Sequence, residues 1–522
     1  MIHVPNPGAG LPFHRSPKTA IIDAVVCKNE EVEITYLDRD LCYRAMQARD
    51  ARFDGRFFTC VRTTGIYCRP ICPARVPKLE HCIFVQSAAA AHQMGFRSCL
   101  RCRPEVAPGL AAWNGTATTV SRAIRLIAEG GLDEADIETF ATRLGVGARH
   151  LRRLFKHHVG ASPVAVAQTH RILFAKQLIS QTKLSFADAG LAAGFGSVRR
   201  FNDVIQQTYG RSPRELRRAK PSDISSRGSA VTLELAFSPP YDWPAIIDFL
   251  TLRATPGVEL VEAGRYCRTI EIGDAHGYVD VRPAESKNHL IATIGISHIA
   301  VLGTVVARLR SMFDLDINIA AVDEHLARDR RFTKHVAERP GVRMPGAWDP
   351  FELAVRAILG QQVSVAGATT LAGRLVAAFG RRLEGNRAPG MLFPTPQALA
   401  DADVKSIGMP AARAKAITEL ARASIADPEL LAGNGTLEGS IRALCALPGI
   451  GDWTAHYIAM RALREPDAFP ATDLGLLRAI RTRSLEPTPQ RLLQFAERWR
   501  PWRSYAAMRL WMLSASPLKE PT

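Results

Sequence analysis

Hydrophobic and polar residues alternate in four short runs between residues 231 and 296. In chain order the runs are "VTLELAF", "YCRTIEI", "GYVDVRP" and "HLIATIGI". An alternation with a period of two predicts half-buried strands. Helical periodicity near 242–254 and 299–313 places helices among these strands. The pattern therefore predicts an α+β unit with an antiparallel sheet.

Helical periodicity dominates residues 118–219 and 320–519. The first of these stretches contains an internal echo, because "RHLRRLFKHHVGASP" (149–163) matches "RRFNDVIQQTYGRSP" (199–213) at an offset of 50 residues. Residues 37–107 have no long helical pattern and are rich in Cys, Arg and Pro. The overall prediction is a multidomain chain in which all-α units flank an antiparallel α+β unit.

The net charge of the chain indicates what kind of partner it binds. The 522 residues carry a net charge of +17 and a pI near 9.7. The excess is concentrated in 51–105, 121–220 and 339–522, which favours a polyanionic partner, most simply double-stranded DNA; the alternative is a solubilising surface. No apolar run approaches the ~20 residues of a membrane span, and "AIIDAVV" carries Asp23 and lacks a cleavage pattern. We therefore expect a cytoplasmic protein with no membrane partner.

Four cysteines form two closely spaced pairs. "GIYCRPIC" places Cys68 and Cys72 as C-x3-C, and "SCLRC" places Cys99 and Cys102 as C-x2-C. Two such pairs predict a tetrahedral Zn(II) site held by four thiolates, with a redox or fortuitous cluster as the alternative. The six flanking arginines could bring such a sulfur onto a phosphate backbone. They are Arg62, Arg69, Arg75, Arg97, Arg101 and Arg103.

The string "FFTCVRTTGIYCRPICPAR…GFRSCLRCRPE" resembles the N-terminal domain of the Ada methyl-phosphotriester sensor. The resemblance implies a small zinc-bound α+β domain in which Cys68 irreversibly accepts a methyl group from DNA phosphotriesters. Alkylation of one thiolate lowers the charge of the site from −2 to −1, because a thioether is neutral. We predict that methylation thereby tightens promoter binding and activates transcription, with RNA polymerase as the expected protein partner.

Each half of the internal echo reads as a helix, a glycine-containing turn and a basic helix. A tight turn of this kind lets the second helix lie in the major groove. Side chains expected to face DNA are Arg149, His150, Arg152, Arg153, Arg199, Arg200 and Asn202; Leu151, Leu154, Phe201 and Val204 fall at core spacing. The arrangement is similar to the AraC family's double helix-turn-helix domain, including the ending "YGRSPRELR". The alternative is an unrelated bundle with solvated arginines.

"LPGIGDWTAHY" (447–457) reads as a tight turn between two helices. Any side chain at Gly449 or Gly451 would hold the backbone away, so the turn amides are expected to bind DNA phosphate. Asp473 follows in "FPATDLGLLRAI". A lone aspartate before a helix is more often an N-cap than a catalyst, but its position after the hairpin matches the helix-hairpin-helix glycosylase pattern.

The nearest resemblance within that superfamily is to the AlkA alkylation-repair glycosylases. It rests on "SPPYDWPAIIDFL", "RAILGQQVSV", "LFPTPQALA", "LPGIGDWTAHYIAMR" and "ERWRPWRSYAAMRLW". The resemblance implies release of bases alkylated at ring nitrogens (3-methyladenine and 7-methylguanine type), with Asp473 as the catalytic carboxylate. Trp453, Tyr457 and Trp511 would receive the cationic base, and Gln362 would fill the gap in the stack. The alternative for each aromatic residue is a place in a helical core.

Three departures from the pattern refine this prediction. Leu474 stands where the family has an aromatic residue, so base selectivity can differ. Trp453 occupies the position of the Schiff-base lysine of bifunctional relatives, which implies hydrolysis without lyase activity. Cys445 is the only cysteine after Cys267, which excludes a four-cysteine iron–sulfur cluster. The hairpin of this superfamily often holds a monovalent cation. The Pro-Cys-His motif of O6-methylguanine transferases is absent.

The sequence thus predicts a fusion of an alkylation sensor and transcription activator with a DNA-3-methyladenine glycosylase. Two alternatives stay open, a regulator whose glycosylase-like half only binds DNA, and a zinc-bound transcription factor without methyl transfer. The predicted boundaries are 1–36 for an uncertain extension, 37–107 for the zinc-binding domain, 108–220 for the double helix-turn-helix, 221–230 for a linker, 231–319 for the α+β domain and 320–522 for the helix-hairpin-helix domain.

Overall fold

The computed structural model describes residues 37–107, 117–133, 135–217, 230–285, 288–383, 389–432, 436–481 and 486–515. The predicted extension at 1–36 and residues 221–229 of the predicted linker lie outside the described residues. Within these described ranges, no helix combines the length and the apolar character needed to cross a membrane.

The cysteine module (residues 37–107) is a four-stranded sheet with strand order β3-β1-β2-β4. Its elements are α1 (Arg39–Gln47), β1 (Phe58–Val61), β2 (Ile66–Cys68), β3 (Cys82–Val85), α2 (Ala88–Gln93) and β4 (Arg97–Ser98). Strands β2 and β4 run parallel, with Tyr67 opposite Ser98. Since parallel strands end at the same edge of a sheet, Cys68 and Cys99 emerge side by side.

The double helix-turn-helix unit (residues 117–217) is entirely helical. It contains α3 (Ala117–Ala128), α4 (Ile137–Arg143), α5 (Ala148–Val159), α6 (Pro163–Gln181), α7 (Phe186–Ala192), α8 (Val198–Tyr209) and α9 (Pro213–Leu216). Leu151, Leu154 and Phe201 are buried as predicted, but Val204 is only half-buried and Ile205 takes the core position instead. A turn of 3.6 residues places both 204 and 205 near the apolar face, so spacing alone does not choose between them.

The α+β unit (residues 230–312) is a fully antiparallel five-stranded sheet of order β5-β9-β8-β7-β6. It contains β5 (Val231–Ala236), α10 (Trp243–Thr251), β6 (Glu259–Glu262), β7 (Arg265–Ile272), β8 (Ala275–Pro283), β9 (His289–Ile296) and α11 (Leu302–Met312). The four predicted strands and both helices are present. Strand β6 was not predicted, because four residues at a sheet edge are too few to show an alternation.

The helical unit (residues 319–515) is interrupted by a two-stranded hairpin that the helical periodicity did not predict. Its helices are α12 (Ile319–Leu326), α13 (Arg330–Glu338), α14 (Pro350–Leu359), α15 (Val365–Phe379), α16 (Pro396–Ala400), α17 (Ala411–Ala426), α18 (Leu437–Cys445), α19 (Asp452–Arg461), α20 (Leu474–Ile480), α21 (Pro489–Ala496) and α22 (Arg503–Ala515). The hairpin pairs β10 (Arg381–Arg382) with β11 (Met391–Leu392).

One hydrophobic core runs through three of these units. It joins α6 to α8 with the sheet of the α+β unit and with the helical unit, whereas α3 to α5 pack around a second core together with the start of α6. Hydrogen bonds seal the junction, because Gln177 donates to the Glu234 carbonyl (3.0 Å) and the Glu234 amide donates to Gln181 (3.1 Å). The second helix-turn-helix is therefore packed firmly against the C-terminal half.

A second contact buries a carboxyl group between α3 and the helical unit. Arg125 Nη1 donates to the Leu463 carbonyl (3.0 Å). Burial raises the pKa of the neighbouring Glu465 to about 7, against the opposing charges of Arg125 and Arg122. The folded protein therefore binds a proton at Glu465 between pH 4.5 and 7 that the unfolded chain does not bind.

Glu465→Gln is expected to stabilise the protein at pH 8 but not at pH 4.5. A raised pKa costs stability as pH rises through this window, by on the order of 3 kcal/mol above pH 7. Glutamine resembles the protonated acid and avoids that cost. Urea unfolding at both pH values measures the difference between variant and wild type. The exposed Glu262→Gln, far from the charges around Glu465, is the matched control and should show little pH dependence. An equal effect of Glu465→Gln at both pH values would contradict the assignment.

Candidate functional site

The four cysteines predicted as zinc ligands meet where β2 and β4 end. Their Sγ atoms all lie within 4.8 Å of one another. Cys72, Cys99 and Cys102 are buried, whereas Cys68 is half-buried. Zn–S bonds of about 2.3 Å in a tetrahedron place sulfurs roughly 3.8 Å apart, so the cluster fits Zn(II). Cys68 is the least buried residue of the four.

Backbone amides support two of these sulfurs. The amide of Arg69 donates to Cys102 Sγ (3.3 Å), and that of Arg101 donates to Cys99 Sγ (3.4 Å). A hydrogen bond to sulfur favours the ionised form that binds a metal. The donor set and its surroundings therefore both suit a dication.

The Arg69 side chain does not face DNA, contrary to the expectation for the arginines around the cysteines. Its guanidinium is buried and ion-paired with Asp54 (Nε to Oδ1, 2.8 Å), and it also donates to the Cys102 carbonyl (3.1 Å). An arginine held by a buried carboxylate is not free to reach a phosphate. Arg69 instead fixes the loop that carries Cys102.

The loop that carries Cys99 is bonded directly to the helix-turn-helix unit. Ser98 Oγ donates to the hydroxyl of Tyr209 at the end of α8 (3.0 Å). Lys176 on α6 donates to the Cys99 carbonyl (3.3 Å) and to Glu105 (2.6 Å), and both side chains are buried. The metal-binding loop and the second basic helix therefore share a rigid contact.

The basic helices α5 and α8 leave their predicted DNA-facing side chains in solvent. Arg149, Arg152, Arg153, Arg199 and Arg200 are all exposed, as are His150 and Asn202. Each helix follows a turn with a left-handed glycine, at Gly145 (φ +71°) and Gly194 (φ +80°). These side chains are available for a polyanion, and their individual DNA contacts stay predictions.

The predicted hairpin joins α18 to α19, and its two glycines have different structural reasons. Gly449 has φ +78°, and a Cβ there would lie 2.5 Å from that of Ala416. Both the conformation and internal packing therefore demand glycine at this position. At Gly451 a Cβ would meet nothing within 4 Å. Internal packing therefore does not require glycine at position 451, and the approach of DNA phosphate to this turn stays a prediction.

Asp473 is both an N-cap and the centre of a polar cluster. Its Oδ1 accepts a hydrogen bond from the Leu476 amide (3.0 Å), which caps α20. The indole Nε1 of Trp511 also donates to Oδ1 (2.9 Å), and that of Trp453 donates to Oδ2 (2.9 Å). Asp473 therefore caps α20 and also lies between two predicted pocket residues, since one backbone amide and two indoles donate to its carboxylate.

The three predicted aromatic residues form a cup beside this carboxylate. Trp453 stacks on Tyr457 with ring centroids 5.3 Å apart and planes 14° from parallel. Tyr457 meets Trp511 at 6.2 Å and 56°. All three side chains are only half-buried, unlike the aromatic residues of the core. Leu474 follows directly and is 66% exposed, so an apolar side chain stands at the entrance.

Sequence reasoning missed two residues of this cup. Phe249 on α10 packs against Trp511 (centroids 6.4 Å apart), although it comes from the α+β unit. Gly475 lets Trp511 approach α20, because a Cβ there would lie 3.2 Å from the indole ring. Phe249 lies in the helix predicted near 242–254, but a pattern within that segment cannot reveal a contact with Trp511.

Gln362 lies at the exposed tip between α14 and α15, with a left-handed φ of +56°. The preceding Gln361 ties this tip to the hairpin, since its Nε2 donates to the Gly449 carbonyl (2.8 Å) and to Thr454 Oγ1 (3.0 Å). Arg413 donates to the Gln361 carbonyl (2.6 Å). The tip and the hairpin thus form one rigid surface next to the aromatic cup.

Four family models match the chain in succession. They are the metal-binding domain of Ada (residues 41–105), a helix-turn-helix domain (140–219), the AlkA N-terminal domain (232–349) and the HhH-GPD superfamily of base excision DNA repair proteins (355–504). Their order is that of the four structural units. The first match and the four-cysteine cluster together support zinc as the bound metal.

A similar protein covers almost the whole chain. The probable bifunctional transcriptional activator/DNA repair enzyme AlkA of Mycobacterium tuberculosis is 42% identical over 92% of this chain and 98% of its own length. The chain belongs to this AlkA family of bifunctional activators and repair enzymes.

Two Escherichia coli proteins are each similar to a part of this AlkA-family chain. DNA-3-methyladenine glycosylase 2 is 38% identical over 53% of the chain and 95% of its own length. The bifunctional transcriptional activator/DNA repair enzyme Ada is 32% identical over 35% of the chain and 50% of its own length. The helix-turn-helix and base-excision matches make DNA the partner of this AlkA-family protein.

Proposed function

We propose that the C-terminal half hydrolyses the N-glycosidic bond of alkylated bases in DNA, of the 3-methyladenine and 7-methylguanine type. The carrying observation is that the Asp473 carboxylate accepts hydrogen bonds from Trp453 and Trp511 at the edge of an aromatic cup. The 38% identity to a DNA-3-methyladenine glycosylase supports the substrate class. The match to the HhH-GPD superfamily supports base excision.

The chemistry follows from the groups around Asp473. The damaged nucleotide must leave the stack before its glycosidic bond can be reached. Bases alkylated at N3 or N7 are cationic, and the faces of Trp453 and Tyr457 attract cations by about 0.5–2 kcal/mol per contact. As the bond breaks, positive charge develops on the sugar, and the Asp473 carboxylate stabilises it or orients the attacking water. With Trp453 in place of a Schiff-base lysine, the product is an abasic site without strand cleavage.

The hairpin and the tip at Gln362 would hold the DNA during this reaction. Amides of the turn around Gly451 bind a phosphate, and Gln362 enters the space that the flipped nucleotide leaves. A monovalent cation bound by hairpin carbonyls would complete the phosphate site. The Gly449 carbonyl already accepts one hydrogen bond from Gln361 and keeps a second lone pair.

In the N-terminal half, Cys68 is the proposed methyl acceptor from DNA phosphotriesters. A bound Zn(II) supplies ionised sulfurs at neutral pH. The Cys68 sulfur attacks the methyl carbon, an S–C bond forms, and the C–O bond breaks with its electron pair left on the phosphate oxygen. The triester becomes a diester anion and the thiolate becomes a thioether. The helix-turn-helix unit would then activate transcription with RNA polymerase as its partner.

Methylation of Cys68 is expected to tighten promoter binding, and the gain should shrink with salt. The cluster's charge falls from −2 to −1, so its repulsion of nearby phosphates falls and screening reduces the difference. Fluorescence anisotropy of promoter DNA from 50 to about 300 mM salt, before and after methylation, measures the gain. A gain that does not depend on salt would contradict the electrostatic mechanism and favour a conformational one through Tyr209 and Lys176.

Base release from alkylated duplex DNA tests the enzymatic proposal. Wild-type protein should release 7-methylguanine from a defined duplex, leaving abasic sites that alkali cleaves and the enzyme itself does not. Binding of the same duplex without any release would favour the alternative, a regulator whose C-terminal half only grips DNA. The polar cluster at Asp473 favours the enzyme, because a module that only binds DNA needs no carboxylate held between two indoles beside an aromatic cup.

A further inference from the structure

Two arginine side chains lie against the aromatic cup. The guanidinium carbon of Arg253, at the end of α10, lies 3.9 Å from the centroid of the Phe249 ring. That of Arg461, on α19, lies 4.8 Å from the same centroid and 5.4 Å from that of Tyr457. The cup is expected to attract cationic bases. Two of its rings, Phe249 and Tyr457, already contact positively charged guanidiniums.

The hydrogen bonds of the two guanidiniums differ. Arg461 is buried and anchored, since it donates to the carbonyls of Pro345 (3.0 Å) and Gly346 (3.1 Å) and to the Tyr457 hydroxyl (2.7 Å). Arg253 is half-buried and donates to the Phe249 carbonyl at 3.4 Å. Arg461 therefore has a structural role, whereas Arg253 contributes mainly a positive charge that lies against the Phe249 ring and interacts with the Tyr457 hydroxyl.

Both charges act on the cup itself. Burial raises the pKa of Tyr457, but the guanidiniums of Arg461 and Arg253 outweigh it and lower the pKa of the phenol below its usual value. The same positive field that favours phenolate disfavours any further positive charge at the site. A ring that already interacts with a guanidinium also has less attraction left for a second cation.

We propose that Arg253 sets the charge selectivity of the base pocket, by weakening its preference for bases that carry a positive charge. The proposal rests on the glycosylase function proposed above. It makes Arg253 a specificity-determining residue that the α+β unit contributes to the pocket of the helical unit. Neutral lesions of similar shape then compete with cationic ones for the pocket. The affinity of the pocket for a base therefore depends more on shape and stacking than on charge.

Two duplexes that differ in one atom test this role. One contains 7-methylguanine, which is cationic; the other contains 7-methyl-7-deazaguanine, a neutral base of the same shape. We measure kcat/KM for release from the first and the inhibition constant of the second. Arg253→Met keeps the length of the side chain and removes the charge, and Arg253→Lys keeps the charge. Circular dichroism verifies folding, with Arg253→Gln as a second neutral variant.

Arg253→Met is expected to raise kcat/KM for 7-methylguanine about tenfold and to leave the inhibition constant of the neutral duplex within about twofold. Arg253→Lys should leave both within about twofold. Equal changes for the two duplexes, or a lower kcat/KM only for the cationic base, would overturn the proposal and make Arg253 a packing residue. No release by wild type would instead refute the glycosylase function, so the two failures are distinguishable.

Discussion

Asp473→Asn is expected to lower the rate of base release about a thousandfold, because the variant loses the negative charge that faces the developing cation on the sugar. Single-turnover release of 7-methylguanine from a duplex measures this loss. Affinity for a duplex with an abasic-site analogue should stay within a few-fold of wild type, since the hairpin and the Gln362 tip are unaltered.

The geometry around Asp473 explains why asparagine also perturbs the site. Oδ1 accepts from Leu476 and Trp511, and Oδ2 accepts from Trp453. An asparagine oxygen can replace only one of these two acceptors, and its amide would then face an indole N–H. Leaving the N–H of a half-buried indole unpaired costs at most about 1–3 kcal/mol, so a modest loss of stability should accompany the loss of activity.

Trp453→Phe separates the two effects of Asp473→Asn. It keeps an aromatic face on Tyr457 and removes one donor to the carboxylate, so the charge remains. We expect a loss of release of about tenfold or less, in line with one hydrogen bond of about 1 kcal/mol. If Asp473→Asn were no slower than Trp453→Phe, the carboxylate would be a helix cap and the enzymatic role of Asp473 would be wrong.

Cys68→Ser is expected to abolish methyl acceptance completely, which is the second large effect. Wild-type protein exposed to DNA carrying methyl phosphotriesters should gain a single adduct of about 14 Da on the peptide that contains Cys68, since a thiolate is the nucleophile. A serine hydroxyl at this position is not ionised at neutral pH and forms no adduct. Intact-protein and peptide mass spectrometry measure both results.

Two further variants serve as controls for the methyl-transfer experiment. Cys445→Ser removes an exposed cysteine outside the four-cysteine cluster and should leave the adduct unchanged. Cys72→Ser removes a buried ligand and should lower zinc content, which inductively coupled plasma mass spectrometry measures. An adduct that persists in Cys68→Ser would assign acceptance to another sulfur. No adduct in wild type would favour the zinc-bound transcription factor without methyl transfer.

The fold was predictable wherever the sequence pattern is local. The two cysteine pairs, each helix-turn-helix, the hairpin and the four longer strands all depend on spacing over a few residues. The structure bears out each of these. Elements of two to four residues, such as β6 and the β10–β11 hairpin, were missed because a period needs several repeats to be recognised.

Part of the candidate site was also predictable, for the same reason. Trp453 and Tyr457 are one turn apart on α19, so helical spacing alone places them on one face. Asp473 and Trp511 were assigned through a family resemblance, and the structure brings both to Trp453. The role of Arg69 was predicted wrongly, since nothing in the spacing of the sequence reveals its buried pairing with Asp54.

The sequence by itself determined the chemistry of this protein, namely the thiolates, the basic helices, the hairpin and the carboxylate. Only the tertiary structure decided how these meet: Phe249 and Arg253 reach the aromatic cup from another unit, and the second helix-turn-helix shares a core with the C-terminal half. The physical reason is that local patterns follow from backbone geometry within one element. Contacts between distant segments depend on how whole apolar surfaces fit together, which no single stretch of the chain encodes.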